Sequence, residues 1–233
     1  MMMLRKSDDR GHVDHGWLKS AHSFSFGGYY DPEFMGFGPL RVINEDHVQP
    51  GMGFGTHPHD NMEILTWVLD GALEHKDSMG SGEVLKPGEM QVMSAGTGIR
   101  HSEFNHSQDK PVHFLQMWVL PQQQNTKPNY QQKAFPADQR RNRLTLLAAP
   151  DKADGALQIG ADIRLSTSLL DKDASVSTTL DPNRTGWLQL ARGSVTVNDV
   201  EMQAGDGLGF ADLSDLTITA TQDAEFLLYD LPR

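Results

Sequence analysis

The histidines of this chain are concentrated in its first half, where some of them lie close to carboxylate residues. Histidine and carboxylate side chains are common metal ligands. All ten histidines lie at or before His113, and the last 120 residues contain none. Possible ligands concentrate in two stretches, THPHDNME at residues 56–63 and GIRHSEFN at residues 98–105. Because the chain has no cysteine, it has no disulfide, no thiolate nucleophile and no thiolate metal ligand. A metal would therefore be held by imidazole and carboxylate groups.

The candidate metal ligands are His57, His59, His101 and Glu103. Side chains at positions i and i+2 of a strand point to the same face, so each pair can converge on one point. If the two strands are neighbours, the four donors come within reach of one cation. Three imidazoles and one carboxylate suit one divalent first-row metal. Fe(II) is expected first, with Zn, Mn, Co, Ni and Cu as alternatives.

Other polar residues of the same stretches need a separate assignment. Glu63 has the parity of His57 and His59, so it is either a further ligand or a group that hydrogen-bonds to a ligand imidazole. Arg100 faces away from His101 by parity and is expected at the surface or in packing. Three other histidines have no ligand spacing and are expected to be ordinary turn or strand residues: His75, His106 and His113.

Charge and hydropathy exclude several classes of function. The net charge is −11, distributed as −5 before residue 141 and −6 after residue 140. Neither half has the basic field that binding to nucleic acid or to an anionic membrane requires. No apolar run approaches the ~20 residues that span a bilayer, and the first ten residues turn polar too early for a signal peptide. We expect a soluble cytoplasmic protein with no direct nucleic acid binding and no membrane contact.

The elements that must position these residues are strands. Short apolar or alternating runs, bounded by Gly, Pro, Asn and Asp, follow one another along the whole chain and predict an all-β sandwich or barrel. The halves also resemble each other, because a hairpin beginning at Trp67 and a hairpin beginning at Trp187 are both followed by a Gly turn and an apolar strand. We therefore predict that these tryptophans occupy equivalent positions in two copies of one domain. The linker is predicted at residues 121–143.

Several motifs in this order resemble a known family. Gly51, His57, His59 and Glu63, followed by Gly71, are similar to the first cupin motif, and His101 with Asn105 is similar to the end of the second. Five segments resemble pirins, in particular the bacterial pirin-like proteins: HSFSFGGYYD (22–31), MGFGPLRVIN (35–44), HPH (57–59), EHKDSMG (74–80) and AGTGIRHSE (95–103). The resemblance is dense over residues 5–120 and thin afterwards.

The resemblance implies a bicupin, in which two β-barrel (double-stranded β-helix) domains pack face to face. Residues 1–130 would form the N-terminal metal-binding cupin domain. Residues 131–233 would form a degenerate C-terminal cupin domain without metal. In pirins the ligands fall on the positions of His57, His59, His101 and Glu103, which moves Glu63 from the ligand set to a supporting role beside it.

The resemblance also implies an activity and a rival to it. Pirins with quercetinase activity open the heterocycle of a flavonol with O2 and release carbon monoxide, and Glu103 would be the catalytic base as well as a ligand. The alternative is a non-enzymatic regulatory binding protein whose metal is structural or redox-sensing, which implies a protein partner. We expect a monomer and assign no substrate-binding residues. One aromatic segment could wall the substrate pocket: Phe24, Phe26, Tyr29 and Tyr30.

Overall fold

Strands make up nearly all of the regular structure. A computed structural model describes every residue from Met1 to Arg233. The only other regular elements are one helical turn, α1 (Ala137–Arg140), and two 3-10 segments, Ser7–Asp9 and Ala153–Gly155. The predicted all-β fold class is confirmed. None of the helices has the length and apolarity that a membrane span requires.

The strands are short and follow one another with few long interruptions. In chain order they are β1 (Met2–Arg5), β2 (Gly11–Asp14), β3 (Leu18–His22), β4 (Leu40–Val48), β5 (Gly53–His59), β6 (Glu63–Asp70), β7 (Leu73–Asp77), β8 (Gly82–Leu85), β9 (Glu89–Ser94), β10 (Ile99–Asn105), β11 (Val112–Val119), β12 (Asn129–Ala134), β13 (Thr145–Ala149), β14 (Leu157–Gln158), β15 (Arg164–Leu170), β16 (Ser175–Thr179), β17 (Arg184–Arg192), β18 (Ser194–Val197), β19 (Val200–Gln203), β20 (Gly207–Ala211), β21 (Asp215–Ala220) and β22 (Ala224–Pro232).

Contacts divide the chain into two units. The N-terminal unit comprises Gly11–Ala134 and Leu157–Ala161, and the C-terminal unit comprises Met1–Arg10, Phe135–Ala156 and Asp162–Arg233. These units differ from the predicted limits of 1–130 and 131–233. The first ten residues join the C-terminal unit because β1 pairs along β20. The predicted linker at 121–143 contains an ordered strand, since β12 pairs with β9 and completes the N-terminal unit.

Each unit contains one large and one small antiparallel sheet. The N-terminal unit has the orders β12-β9-β6-β11-β4-β3-β2 and β5-β10-β7-β8. In the C-terminal unit the large sheet runs β1-β20-β17-β22-β15-β13 and the small sheet runs β16-β21-β18-β19. The orders match over six strands of the large sheets and all four strands of the small sheets, so β6 corresponds to β17, β11 to β22 and β10 to β21. The predicted repeat of two β domains is confirmed.

Glycine turns align the two units residue by residue. Gly88 and Gly205 both have positive φ, at +80° and +89°, just before β9 and β20. Each donates its backbone N–H to the central strand of its own unit, Gly88 to Val68 and Gly205 to Leu190. Val68 of β6 therefore corresponds to Leu190 of β17.

This alignment corrects the predicted equivalence of the two tryptophans. Trp187 corresponds to Leu65, and Trp67 corresponds to Gln189, so the tryptophans are two residues out of register. Both tryptophan side chains are fully buried. Trp187 lies so close to Gly207 that a Cβ added at this glycine would be 2.3 Å from the indole ring. The two hairpins look alike in sequence, but this likeness does not show at which position of the strand a tryptophan can pack against a glycine of the neighbouring strand.

The interiors of the two units differ in polarity. Along β6, Ile64 and Val68 belong to separate apolar clusters, and Thr66 lies between them on the same face. The N-terminal unit thus has a polar band between two small apolar clusters: Asn44, Asp46, Thr66, His75, Gln91, His101, Glu103 and Gln116. At the positions that correspond to six of these residues, the C-terminal unit has a continuous apolar core: Leu188, Val197, Leu208, Leu216, Ile218 and Leu228.

Candidate metal centre

Three of the predicted ligands meet on two neighbouring antiparallel strands, β5 and β10. His101 lies opposite His57 in the register, and His59 lies two residues further along β5. The ring centroids are 4.5 Å apart for His57 and His101, 4.8 Å for His57 and His59, and 4.9 Å for His59 and His101. One ring nitrogen of each histidine lies within 4.8 Å of the other two. Nitrogens at this separation can bind a single divalent ion with small adjustments of the rings.

Local sequence explains why β5 can present two imidazoles on one side. Pro58 lies between His57 and His59 and faces the opposite side by alternation. Proline has no N–H for a strand ladder and is tolerated on edge strands, and β5 is the edge of its sheet. The register is interrupted between His101 and Glu103, so that Glu103 lies opposite Phe54. This β-bulge changes which residues of β5 face the end of β10.

Glu103 is buried beside this cluster and has one unused oxygen. Its Oε2 accepts a hydrogen bond from Gln116 Nε2 at 2.8 Å, whereas Oε1 has no partner. His101 Nε2 is also buried and has no partner. Glu103 and His101 offer ligand atoms within 4.8 Å of each other. Buried polar atoms are rarely left without a partner, and a divalent cation would use both lone pairs, so the donor set fits a metal.

The protonation states also suit a metal ligand set. Burial and the neighbouring His57 lower the pKa of His59 to about 4. Burial, together with three nearby imidazoles, lowers the pKa of His101 far below its usual range. Neutral imidazoles are the form that binds metals. Burial raises the pKa of Glu103 to about 7, partly offset by the hydrogen bond from Gln116.

A cavity of about 390 Å³ opens next to these donors. Its lining includes His57, His59 and Glu103. Apolar side chains form much of the remaining wall: Val13, Leu18, Phe26, Phe54 and Trp118. A polar patch completes it: Ser20, His22, Asn44, Asp46 and Gln116. A mostly apolar cavity with a few convergent polar groups is typical of a small-molecule site.

Comparison with known families agrees with this geometry. The pirin family model matches residues 3–119. The chain belongs to the pirin family. A second model, described as the quercetinase C-terminal cupin domain, matches residues 146–231. The two matches cover both units and confirm the predicted bicupin architecture of this pirin.

Relatives resemble this pirin over its whole length. A protein of Escherichia coli strain K12 named quercetin 2,3-dioxygenase is 48% identical, with 100% of this chain and 99% of the relative covered. A pirin-like protein of Caulobacter vibrioides is 43% identical, with coverage of 98% and 99%. Among solved structures, the bacterial pirin YhhW of Escherichia coli in complex with nickel(II) has a TM-score of 0.95 and 46% identity, covering 100% of this chain and 99% of that chain.

His75 is a hydrogen-bonded strand residue, as predicted, but it also contacts the candidate ligand His101. It lies on β7, opposite Glu103 on β10, and is fully buried. Its ring stacks on Tyr130 with a centroid distance of 4.6 Å, and its Nδ1 lies 3.5 Å from His101 Nδ1. Alternation along β7 predicts that Leu73, His75 and Asp77 share one face. Only the order of strands in the sheet reveals that β7 is the neighbour of β10, which brings His75 next to the candidate ligands.

Asp77 accompanies His75 on that face. Its Oδ2 accepts a hydrogen bond from His75 Nε2 at 3.1 Å. Its Oδ1 accepts backbone N–H groups of Met79 at 2.8 Å and Ser81 at 3.1 Å. Burial alone would raise the pKa of Asp77, but the hydrogen bonds from His75, Ser81 and Met79 outweigh it and hold the pKa below the usual range. Asp77 is therefore ionised.

Glu63 does not support the metal ligands, which corrects the sequence-based assignment. The chain turns at Asn61, where φ is +47°, so Glu63 begins β6 in the large sheet instead of continuing β5. Its Oε2 accepts hydrogen bonds from Ser94 Oγ at 2.8 Å and from the backbone N–H of Gly160 at 3.1 Å. By alternation it faces away from Thr66. Glu63 anchors a loop and touches no imidazole.

The predicted aromatic wall is only partly present. Phe26 lines the cavity and meets Trp118 edge to face at 5.3 Å. Phe24 is buried in the core, and Tyr29 packs against Gly11. Tyr30 is 71% exposed. His106, His113 and Arg100 lie outside the candidate centre. His106 pairs with Glu74, His113 pairs with Glu45, and the Arg100 side chain is exposed.

Proposed function

We propose that this pirin is a metal-dependent dioxygenase that opens the heterocycle of a flavonol such as quercetin with O2 and releases carbon monoxide. The observation that carries the proposal is the cavity of about 390 Å³ whose wall includes His57, His59 and Glu103. It offers a small aromatic molecule a place directly beside the metal donors. The relative named quercetin 2,3-dioxygenase supports the same activity.

The proposed ligands of a single divalent ion are His57, His59, His101 and Glu103. Fe(II) is proposed as the working metal, with Ni, Co, Mn, Zn and Cu as alternatives. The nickel(II) complex of the bacterial pirin supports a divalent first-row ion. A bound ion would act as a Lewis acid toward the 3-hydroxyl oxygen of the flavonol beside these residues.

The proposed reaction needs no reductant. Two carbon–carbon bonds of the heterocycle break, and the carbon between them leaves as carbon monoxide. Both oxygen atoms of O2 enter the remaining product, which is an ester that carries a carboxylate. Flavonol and O2 together have the same atoms and electrons as the ester and carbon monoxide, so the chain has to supply only positioning and proton transfer.

Glu103 is the proposed general base. Its Oε1 has no hydrogen-bond partner and can accept the proton of the substrate 3-hydroxyl. Burial raises the pKa of Glu103 to about 7, which makes its carboxylate more basic than an exposed one. Gln116 holds the other oxygen, so that proton transfer does not require the whole side chain to reorient.

The cavity wall suits a flat aromatic molecule with hydroxyl groups. Phe26, Phe54 and Trp118 provide apolar surface for the rings. On the polar side, His22 Nδ1 lies 2.7 Å from Asn44 Oδ1, and Asp46 Oδ1 is buried without a partner. We propose that this polar patch binds a ring hydroxyl of the substrate, since an unpartnered carboxyl oxygen gains a hydrogen bond from it.

The rival function is regulatory binding with a structural or redox-sensing metal. Such a role requires the same four ligands but no cavity next to them. The large apolar cavity lined by His57 and His59 favours the enzyme.

The test begins with anaerobic purification, metal analysis and reloading with Fe(II). Oxygen uptake and carbon monoxide release are then measured with a panel of flavonols. Luteolin, which is quercetin without the 3-hydroxyl, is the matched control substrate. We expect one O2 consumed and one carbon monoxide released per flavonol, and no turnover of luteolin. An Fe(II)-loaded protein that consumes no O2 with any flavonol would exclude this function and favour the regulatory one.

A further inference from the structure

His75 connects a buried carboxylate to a proposed metal ligand. Its Nε2 lies 3.1 Å from Asp77 Oδ2, and its Nδ1 lies 3.5 Å from His101 Nδ1. The side chains of His75 and Asp77 are both fully buried. Tyr130 stacks on the His75 ring and holds its plane. Three polar side chains are therefore aligned from Asp77 to His101 without access to bulk water.

The proton positions along this row follow from hydrogen-bond chemistry. Ionised Asp77 can only accept, so the proton between it and His75 is on His75 Nε2. In a neutral imidazole with its proton on Nε2, the other ring nitrogen, Nδ1, carries a lone pair. The facing Nδ1 of His101 must then carry a proton, because two lone pairs would repel each other. His101 Nε2 is left with its lone pair, and this is the buried atom that has no partner.

We propose that Asp77 and His75 form a hydrogen-bond relay that sets the tautomer of His101, so that His101 Nε2 presents its lone pair to the metal. His75 is a positioning residue and not a ligand. The proposal rests on the metal centre of the proposed function and is independent of the flavonol chemistry. His57 reaches the same tautomer by a shorter route, because its Nδ1 lies 2.8 Å from the carbonyl oxygen of Gly55.

The surroundings of Asp77 make Asp77→Asn a precise test. Asp77 Oδ1 already accepts the backbone N–H groups of Met79 and Ser81. An asparagine keeps its single oxygen on these two donors, so its NH2 group faces His75 Nε2. The proton of His75 then moves to Nδ1, and the proton of His101 moves to Nε2, where it competes with the metal. The substitution changes no volume and inverts the tautomers of both imidazoles.

Metal affinity measures the effect directly. Ni(II) binding to the metal-free protein is followed by isothermal titration calorimetry, and thermal unfolding of each metal-free variant checks the fold. We expect Asp77→Asn to weaken Ni(II) binding about 10- to 100-fold, the usual cost of losing a group that orients a ligand. Asp181→Asn is the matched control, because Asp181 Oδ1 also accepts the backbone N–H two residues later but has no histidine partner. Its Ni(II) affinity should equal that of the wild type.

A second variant tests whether Asp77 acts through His75. His75→Leu removes the acceptor of His101 Nδ1 and should also weaken Ni(II) binding. In the His75→Leu background, Asp77→Asn should cause no further loss, because the link between the two ends is gone. Ni K-edge X-ray absorption of the loaded proteins should give three imidazole ligands both in the wild type and in His75→Leu.

Four results would overturn the relay. The first is a wild-type Ni(II) affinity in Asp77→Asn, and the second is an equal loss of Ni(II) affinity from Asp77→Asn with and without His75. The third is an absorption spectrum with four imidazole ligands in the wild type and three in His75→Leu. The fourth is a wild-type chain that binds no Ni(II). The last result would overturn the metal centre as well. A chain that binds Ni(II) as expected but consumes no O2 with flavonols, once loaded with Fe(II), would overturn only the proposed function.

Discussion

Glu103 combines two properties that usually exclude each other. A metal ligand must be deprotonated, whereas a carboxylate without water around it holds its proton more tightly. Burial raises the pKa of Glu103 to about 7, and a bound cation would oppose this effect. The same side chain can therefore bind the metal and accept a proton, depending on what occupies the cavity.

Glu103→Gln separates these roles. The amide keeps an oxygen donor and similar volume but loses the charge and nearly all basicity. We expect Fe(II) binding to weaken yet persist at high metal concentration, while oxygen uptake with flavonol falls by about 10²-fold or more per bound metal, the usual contribution of a general base. His57→Ala should instead lose metal and activity together. A near wild-type rate per metal in Glu103→Gln would show that Glu103 is only a ligand.

Asp46 should make the metal-free protein less stable as pH rises. Burial raises its pKa to about 7, from an ordinary value of 3.8, and Ser20 offsets only part of this. Between these two values the unfolded chain has released the proton and the folded chain retains it, so folding stability declines across this window and is constant above it. The total loss is about 4 kcal/mol, since the two values differ by about three pKa units and each unit corresponds to about 1.4 kcal/mol.

Asp46→Asn removes this titration. Urea unfolding of the metal-free wild type and variant, at about pH 4 and about pH 8, measures the difference. From about pH 4 to about pH 8, we expect the free energy of unfolding of the variant to rise by about 4 kcal/mol relative to that of the wild type. Parallel pH profiles of the two proteins would mean that Asp46 ionises normally inside the cavity.

At the level of elements, the corresponding strands β6 and β17 carry their largest side chains at different positions. Trp67 and Trp187 point to the same face by alternation but differ by two residues in register. The Trp187 ring packs against Gly207, which lies opposite Gln189 in the register, whereas the position of β9 that corresponds to Gly207 is Met90. Each unit has therefore fitted its own bulky residue to its own neighbouring strand.

Replacing either tryptophan should be costly. Trp67→Ala and Trp187→Ala are each expected to lower the free energy of unfolding by about 3–5 kcal/mol, because both side chains are fully buried. Trp17→Ala, at a partly exposed position, is the control and should cost less. Denaturant titration followed by circular dichroism measures all three. A loss below about 1 kcal/mol at Trp187 would contradict the tight packing against Gly207.

At the level of the whole molecule, two copies of one strand arrangement have different interiors. The positions of His75, His101 and Glu103 correspond to Val197, Leu216 and Ile218. Apolar side chains fill the C-terminal barrel at the level where the N-terminal barrel has its polar band. The two units therefore share the order of their strands, whereas the positions that correspond to these three donors are apolar in the C-terminal unit.

One divalent ion per chain follows from this asymmetry. Metal analysis of the purified protein should give about one equivalent of transition metal, which the three-imidazole cluster would hold. In the double variant His57→Ala, His101→Ala, tightly held metal should be absent after dialysis. A second ion retained by the double variant would show a site that the polar band of the N-terminal unit does not account for.

The sequence by itself determined the donor types, the β class and the repeat. Alternation with a period of two is a local property, so the convergence of His57 with His59, and of His101 with Glu103, is predictable from spacing alone. The absence of histidine after His113 likewise predicts that only one barrel can bind metal.

Only the tertiary structure decided which strands are neighbours. His75 joins His101 because β7 lies beside β10, although 26 residues separate them in the chain. Glu63 leaves the site because a turn at Asn61 places it in another sheet, and β1 joins the C-terminal unit because β20 offers it a free edge. Local spacing sets the face of the sheet on which a side chain lies. The side chains that lie next to it depend on the order of strands in the sheet, and that order is determined by residues far apart in the chain.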